Sequence, residues 1–205
     1  MKIAALYDVH GMPWALEAVL AEVDADVLLF GGDFTGGPFV EETLALIEPL
    51  PNATLIRGNA EDDDGRFATL PLTAELDGVR YCHAAPTDNT PITTAFTPDD
   101  VLRERFGRSG TFVIGHTHHQ FDRRVGDLRI VNAGSIGMPY EGEVAAFWTL
   151  VEDGEPSFRK TTFDLERAVR ELRASDWPGA AEFVDENLLA AVSREEAIAF
   201  FEARA

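Results

Sequence analysis

Short apolar runs recur along the chain, and most of them end in Gly, Asp, His or Asn. Runs of this length, apolar on both faces and bounded by turn residues, are typical of strands buried in a covered sheet. The clearest are residues 2–7, 27–30, 53–56, 79–81, 112–114 and 128–131. Between the first three of these runs, apolar residues recur at helical spacing, from Pro13 to Val23 and over residues 39–50. This alternation predicts right-handed βαβ units in the first part of the chain.

The second part of the chain carries three hairpin signals. They are Asp77-Gly78, Gly126-Asp127 and Asp153-Gly154, and each separates two strand-like runs. From residue 165 the pattern is helical, over residues 165–173, 180–191 and 195–204, and Ser193 with Glu196 predicts a capping box. We therefore predict one α/β domain over residues 1–163, and a helical appendage over residues 164–205 that packs on the same domain.

Composition and charge narrow the function classes. The chain has 205 residues, of which 45% are hydrophobic, and a formal net charge of −19. Such an acidic surface repels polyanions, so we expect neither broad nucleic-acid binding nor binding to an anionic membrane. The sequence contains no run long enough to span a membrane and no signal-peptide pattern, which predicts a cytoplasmic protein. The single cysteine, Cys82, excludes an internal disulfide.

Potential metal ligands follow several of the predicted strands. They form the motifs Asp8-Val9-His10, Gly32-Asp33, Gly58-Asn59, a lone His83 and Gly115-His116-Thr117-His118. The carboxyl ends of parallel strands meet at one edge of a sheet, so these side chains are expected to converge. Carboxylate, imidazole and amide ligands together suit Mn²⁺, Fe or Zn²⁺. Seven candidate ligands exceed the needs of one tetrahedral ion and fit two ions that share a bridge.

In this order, the five motifs resemble the signature of the calcineurin-like metallophosphoesterases, and residues 32–38 and 131–137 resemble its small bacterial and archaeal phosphodiesterase branch. The resemblance implies a two-sheet αββα sandwich with C-terminal helices. It also implies two divalent ions, with Mn²⁺ favoured and Fe, Zn²⁺ or Ni²⁺ as alternatives. The implied ligands are Asp8, His10 and His118 for one ion, Asn59, His83 and His116 for the other, and Asp33 as the bridge. The implied reaction is hydrolysis of a small phosphodiester by a hydroxide that bridges the two ions.

The third motif departs from the family pattern. Many members carry a histidine after the asparagine, where this chain has Ala60. Alanine cannot donate a proton, so we predict that metal-bound water or His119 protonates the leaving group. Asn59 is the other predicted catalytic residue, and Asn59 and Arg57 are the predicted substrate-binding residues. Asp62, Asp63 and Asp64 are interpreted as a solvated loop.

Two other functions compete with this prediction. One is a catalytically weak or inactive scaffold that acts through protein partners, as does the retromer coat subunit that resembles these enzymes. Ala60 favours this alternative slightly, whereas the full set of ligands argues against it. The other is a relative of the metallo-β-lactamases, suggested by residues 116–119, although Gln120 replaces the aspartate of their motif. Formation of a homo-oligomer is left open.

Overall fold

The computed structural model describes residues 1–205. Its ten strands are β1 Lys2–Leu6, β2 Val27–Phe30, β3 Ala53–Leu55, β4 Thr73–Leu76, β5 Val79–Cys82, β6 Ser109–Ile114, β7 Phe121–Val125, β8 Asp127–Asn132, β9 Ala146–Glu152 and β10 Glu155–Thr161. They form two five-stranded sheets, ordered β10-β9-β1-β2-β3 and β4-β5-β6-β8-β7. In the first sheet β1, β2 and β3 are parallel, and in the second β5, β6 and β8 are parallel.

The helices lie on the outer faces of the two sheets. They are α1 Pro13–Glu22, α2 Val40–Ile47, α3 Asp99–Phe106, α4 Leu165–Ala174, α5 Ala180–Phe183 and α6 Arg194–Glu202. Two short 3-10 turns, Asn59–Glu61 and Gly65–Phe67, follow β3, and a π-helical turn, Val184–Leu188, follows α5. None of these helices is long and apolar enough to cross a membrane.

The core has three layers, because successive side chains of a strand point to opposite faces of its sheet. Ile3 and Ala5 face the second sheet and pack in a layer with Val113 and Val131. Ala4 and Leu6 lie on the opposite face, with α1, α2 and α4. A third layer joins the outer face of the second sheet to α3. The predicted αββα sandwich is confirmed.

The three predicted hairpins form where the Asp-Gly and Gly-Asp pairs stand. Asp77 and Gly78 have φ values of 50° and 74°, and Asp153 and Gly154 have 50° and 80°. Two successive residues with positive φ make the turn whose twist matches a two-residue hairpin. Asp and Gly are suited to these positions, since both tolerate the left-handed region better than most residues.

The C-terminal segment is helical as predicted, but its middle differs from the continuous helix predicted over residues 180–191. The chain turns there through α5 and the π-helical turn, which bury Phe183, Val184 and Leu188 against α1 and α4. The capping box of α6 is present, with Ser193 accepting from the backbone of Glu196 and the Glu196 carboxylate accepting from the backbone of Ser193. The sequence pattern did not predict α3.

Candidate metal centre

All seven predicted metal ligands lie at the carboxyl ends of the parallel strands or in the loops that follow them. Asp8 and His10 follow β1, Asp33 follows β2, Asn59 follows β3, His83 follows β5, and His116 and His118 follow β6. The strands of both sheets therefore deliver side chains to one edge of the sandwich. The end of β8 supports this edge, because the side-chain amide of Asn132 donates to the carbonyl of Gly115 at 2.6 Å.

The backbone at this edge is strained. Five of the seven residues have positive φ, between 48° and 68°: Asp8, His10, Asp33, His116 and His118. For a residue other than glycine, such a conformation costs on the order of 1–3 kcal/mol and persists only where the surrounding structure imposes it. Clusters of this kind are typical of functional sites, where the strain aims side chains at a common point.

Three of the predicted ligands form a first cluster. Asp8, His10 and His118 each offer a ligand atom, and these atoms lie within 4.8 Å of one another. Nε2 of His118 is 3.4 Å from Oδ1 of Asp8 and 3.1 Å from Nε2 of His10. This is the set that the family pattern implies for one of the two ions.

Asp33, His83 and His116 form the second cluster, and the ligand atoms of these three also lie within 4.8 Å of one another. Nε2 of His83 is 3.5 Å from Oδ1 of Asp33 and 3.1 Å from Oδ1 of Asn59. Asp33 also faces the first cluster, since its Oδ2 is 3.8 Å from Nε2 of His10. Asp33 therefore lies between the two clusters, and its role as the bridging ligand stays a prediction.

The hydrogen bonds show that these residues fit a cation. Nδ1 of His83 donates to the carbonyl of Gly31 at 3.0 Å, and Nδ1 of His118 donates to that of Met138 at 2.8 Å. Nε2 is then the nitrogen that can bind a cation when the ring is neutral, and it faces the oxygens of Asp8, Asp33 or Asn59. Nε2 of His116 donates to the carbonyl of Thr90, which leaves its Nδ1 as the acceptor.

Asp8 gives the strongest sign that these residues fit a cation. Its Oδ2 accepts from the backbone N–H of His116 at 3.0 Å, but its Oδ1 is buried without any hydrogen-bond partner. A buried carboxylate oxygen without a partner is costly. A divalent cation would satisfy Oδ1 together with the imidazole nitrogens that surround it. His10 differs from the other three predicted histidine ligands, because its second ring nitrogen, Nδ1, is buried without a partner.

The electrostatics of the two clusters differ. Burial and the neighbouring His118 lower the pKa of His10 to about 4, and burial and His83 lower that of His116 to about 4. Both rings are therefore neutral at pH 7, which is the form that binds a metal. Burial opposes a charge on His83 as well, but Asp33 and Asp8 outweigh it and raise the pKa of His83 to about 9. His83 must therefore lose a proton when a metal binds.

Glu61 is a residue of this site that the sequence pattern did not single out. It is fully buried, and its carboxylate accepts from the backbone N–H groups of Asp33, Thr35 and Gly58 at 2.8 to 3.0 Å. Burial, and then the charge of Asp33, raises the pKa of Glu61. Through these bonds Glu61 fastens the loop of Asp33 to the loop of Asn59.

Gly58 allows those two loops to approach. A Cβ atom added at Gly58 would lie 2.2 Å from Oδ1 of Asp33, a distance that real atoms do not tolerate. On the other side of Asp33, the backbone N–H of Ala60 donates to Oδ1 of Asp33 at 2.8 Å. The glycine of the Gly58-Asn59 motif is therefore required by the close packing of the ligands themselves.

The other predicted site residues lie in different surroundings. Nε of Arg57 is 3.2 Å from Oδ1 of Asp62, and its Nη1 donates to the carbonyl of Ala68. The ring of His119 is fully buried, with Nδ1 donating to the carbonyl of Thr117 and Nε2 lacking a partner. Burial lowers the pKa of His119. Substrate binding by Arg57 and proton donation by His119 stay predictions, and the burial of His119 does not favour its role.

Two clusters of candidate metal ligands at one edge of an αββα sandwich are characteristic of a metal-dependent phosphoesterase. Residues 1–153 match the calcineurin-like phosphoesterase superfamily domain, so the chain belongs to this superfamily. The resemblance inferred from the five motifs is thereby confirmed. No curated protein matches the chain in sequence.

Several solved structures share the fold. A metallophosphoesterase from Sphaerobacter thermophilus has a TM-score of 0.78 at 20% identity, over 94% of this chain and 100% of that chain. The phosphoesterase Yfce from E. coli has a TM-score of 0.52 at 19% identity, over 74% of this chain and 88% of its own. Chaetomium thermophilum Vps29 has a TM-score of 0.52 at 15% identity, over 80% of this chain and 95% of its own.

Proposed function

We propose that this protein hydrolyses a small phosphodiester with two divalent metal ions, Mn²⁺ being the favoured ion. The proposal rests chiefly on one observation: seven side chains able to bind a metal, two of them buried aspartates, converge at one edge of the sandwich. Divalent cations would satisfy the buried Oδ1 of Asp8, which has no hydrogen-bond partner, together with the imidazole nitrogens around it. A protein that worked solely as a scaffold would gain nothing from keeping this arrangement.

In this proposal Asp8, His10 and His118 hold one ion, and Asn59, His83 and His116 hold the other. Asp33 lies between them and contributes to both. Two bound ions would supply Lewis-acid polarisation of the phosphoryl group and a water of lowered pKa. The protein contributes a fixed geometry, since the carbonyls of Gly31, Thr90 and Met138 orient three of the four imidazole rings.

The leaving group is the point at which this chain should differ from relatives with a histidine after the asparagine. No acidic proton donor stands at Ala60, so the departing alkoxide takes its proton from water. General acid catalysis is typically worth 10²–10⁴-fold. We therefore propose that the enzyme prefers substrates whose leaving group needs little protonation, and that Asn59 contacts the phosphate.

Hydrolysis of bis(p-nitrophenyl) phosphate and of p-nitrophenyl phosphate with added Mn²⁺ tests the proposal. We expect turnover of the diester with a higher kcat/KM than that of the monoester, and loss of activity with a chelator. Asp33→Asn should abolish it, whereas Asp153→Asn, a change in an exposed hairpin, should not. Failure to hydrolyse either ester with metal bound would contradict the proposal and would favour the scaffold function.

A further inference from the structure

A cavity of about 300 Å³ lies between α6, the π-helical turn and the loop that follows β8. Its volume is at the lower end of the range for small-ligand sites. We call it the α6 pocket. The residues that matter for its chemistry are three aromatic side chains, one aliphatic side chain and two carboxylates: Tyr140, Phe200, Phe201, Val192, Glu186 and Glu196.

The α6 pocket adjoins the metal centre. The ring of Tyr140 stacks on the ring of the metal ligand His118, with centroids 4.9 Å apart and an interplanar angle of 27°. Tyr140 therefore forms a wall of the pocket while contacting a predicted metal ligand. None of the seven predicted metal ligands lines the pocket itself, so the Tyr140 ring is the contact between the two sites.

Helix α6 is fastened to the loops on both sides of the metal centre. At its start, the guanidinium of Arg194 donates to the carboxylate of Glu141, the neighbour of Tyr140. At its end, Glu202 accepts from the hydroxyl of Thr94. Thr94 lies in the same loop as Thr90, whose carbonyl accepts from His116. Because both ends are held, α6 is a fixed part of the rim, and the pocket beneath it is preformed.

The groups that line the pocket favour a positive charge. Aromatic rings present a negative face, and carboxylates nearby add to it. Glu186 and Glu196 line the pocket, and Oε2 of Glu196 accepts from Ser193. One cation already uses this cluster, since the guanidinium of Arg204 lies 3.5 Å from the centroid of the Phe200 ring. No basic side chain lines the pocket.

We propose that the α6 pocket binds the organic group of the phosphodiester, and that this group carries an ammonium or quaternary ammonium charge. The inference rests on the proposed function, because it assigns the second substituent of the same substrate. Choline and ethanolamine esters of phosphate have this chemistry. The three rings would surround the alkyl groups of the cation, and the carboxylates would balance its charge.

Two chromogenic diesters of matched shape test the role of the charge. One is p-nitrophenyl phosphocholine, and the other is p-nitrophenyl 3,3-dimethylbutyl phosphate, in which carbon replaces the nitrogen. With Mn²⁺, we expect a KM about tenfold lower for the choline ester at similar kcat, because a cation held over aromatic rings gains about 1–2 kcal/mol. Equal KM values would overturn the proposal.

A variant pair tests the place of binding. Phe200 is 52% exposed, so Phe200→Leu should fold normally while removing one aromatic face. It should raise KM for the choline ester several-fold and leave KM for the dimethylbutyl ester almost unchanged. Phe158→Leu, the same change at a 42% exposed residue of β10, should alter neither. A choline-ester KM that is insensitive to Phe200→Leu would overturn the proposal.

Binding of choline alone separates this inference from the proposed function. By saturation-transfer NMR without added metal, we expect choline to bind the full-length protein and binding to weaken in Phe200→Leu. Choline binding without hydrolysis of either ester would support the pocket and contradict the proposed function. Hydrolysis of both esters without choline binding would overturn the pocket alone. A lower KM for the p-nitrophenyl ester of thymidine 5′-phosphate than for the choline ester would also overturn the proposal. That result would mean that the α6 pocket prefers a flat, uncharged ring to a cation.

Discussion

Replacing Glu61 with alanine should destabilise the metal-free protein and loosen its metal centre. The change leaves three backbone N–H groups, those of Asp33, Thr35 and Gly58, without their acceptor. A buried donor that loses its partner costs about 1–3 kcal/mol. Burying the Glu61 carboxylate is itself unfavourable, as its raised pKa indicates, so the lower end of the range applies. Leaving three donors without an acceptor, at about 1 kcal/mol each, should lower the free energy of unfolding by about 3 kcal/mol.

For a chain of this length, a loss of that size lowers the melting temperature by roughly 6–12 °C. Thermal unfolding followed by circular dichroism measures the shift, and calorimetric titration with Mn²⁺ should show weaker binding, because the loops of Asp33 and Asn59 lose their common anchor. Asp63→Ala is the matched control, since Asp63 is an exposed acid of the same segment. A melting temperature within 2 °C or so of wild type for Glu61→Ala would refute the reasoning.

Three further predictions concern the protons of the site. Ala60→His should raise kcat about 10- to 100-fold for a diester with a poor leaving group and change it little for a nitrophenyl ester, by steady-state kinetics. His119→Ala should lower the melting temperature and leave kcat for the poor leaving group nearly unchanged, because the ring is buried; a fall of about 10²-fold would instead identify His119 as the general acid. Mn²⁺ affinity should rise about tenfold per pH unit from pH 7 towards the pKa of about 9 of His83, since binding releases that proton. A pH-independent affinity by calorimetry would contradict this last prediction.

The fold and the convergence of the seven candidate ligands were predictable because both depend on local patterns. Each ligand motif directly follows an apolar run, and the topology of parallel strands brings such positions to one edge. The hairpins at Asp77-Gly78 and Asp153-Gly154 were predictable for a similar reason, since few residues accept two successive positive φ values. In these places the local signal and the tertiary structure agree.

Other features depend on contacts that a single sequence does not display. Glu61 stands beside three aspartates, and only the approach of the Asp33 loop makes it the buried member of that acidic run. Helix α3 buries little beyond Leu102 and Phe106, so its apolar periodicity was too sparse to predict it. The partners of His83, His116 and His118 are backbone carbonyls, which leave no mark in the sequence.

The central claim is that this edge of the sandwich holds a pair of cations. The most direct test is a crystal of the protein grown with Mn²⁺ and measured for anomalous scattering. The account predicts two manganese peaks per chain, one among Asp8, His10 and His118 and one among Asn59, His83 and His116, with Asp33 contacting both. A single peak, or peaks only outside these seven residues at saturating Mn²⁺, would contradict it.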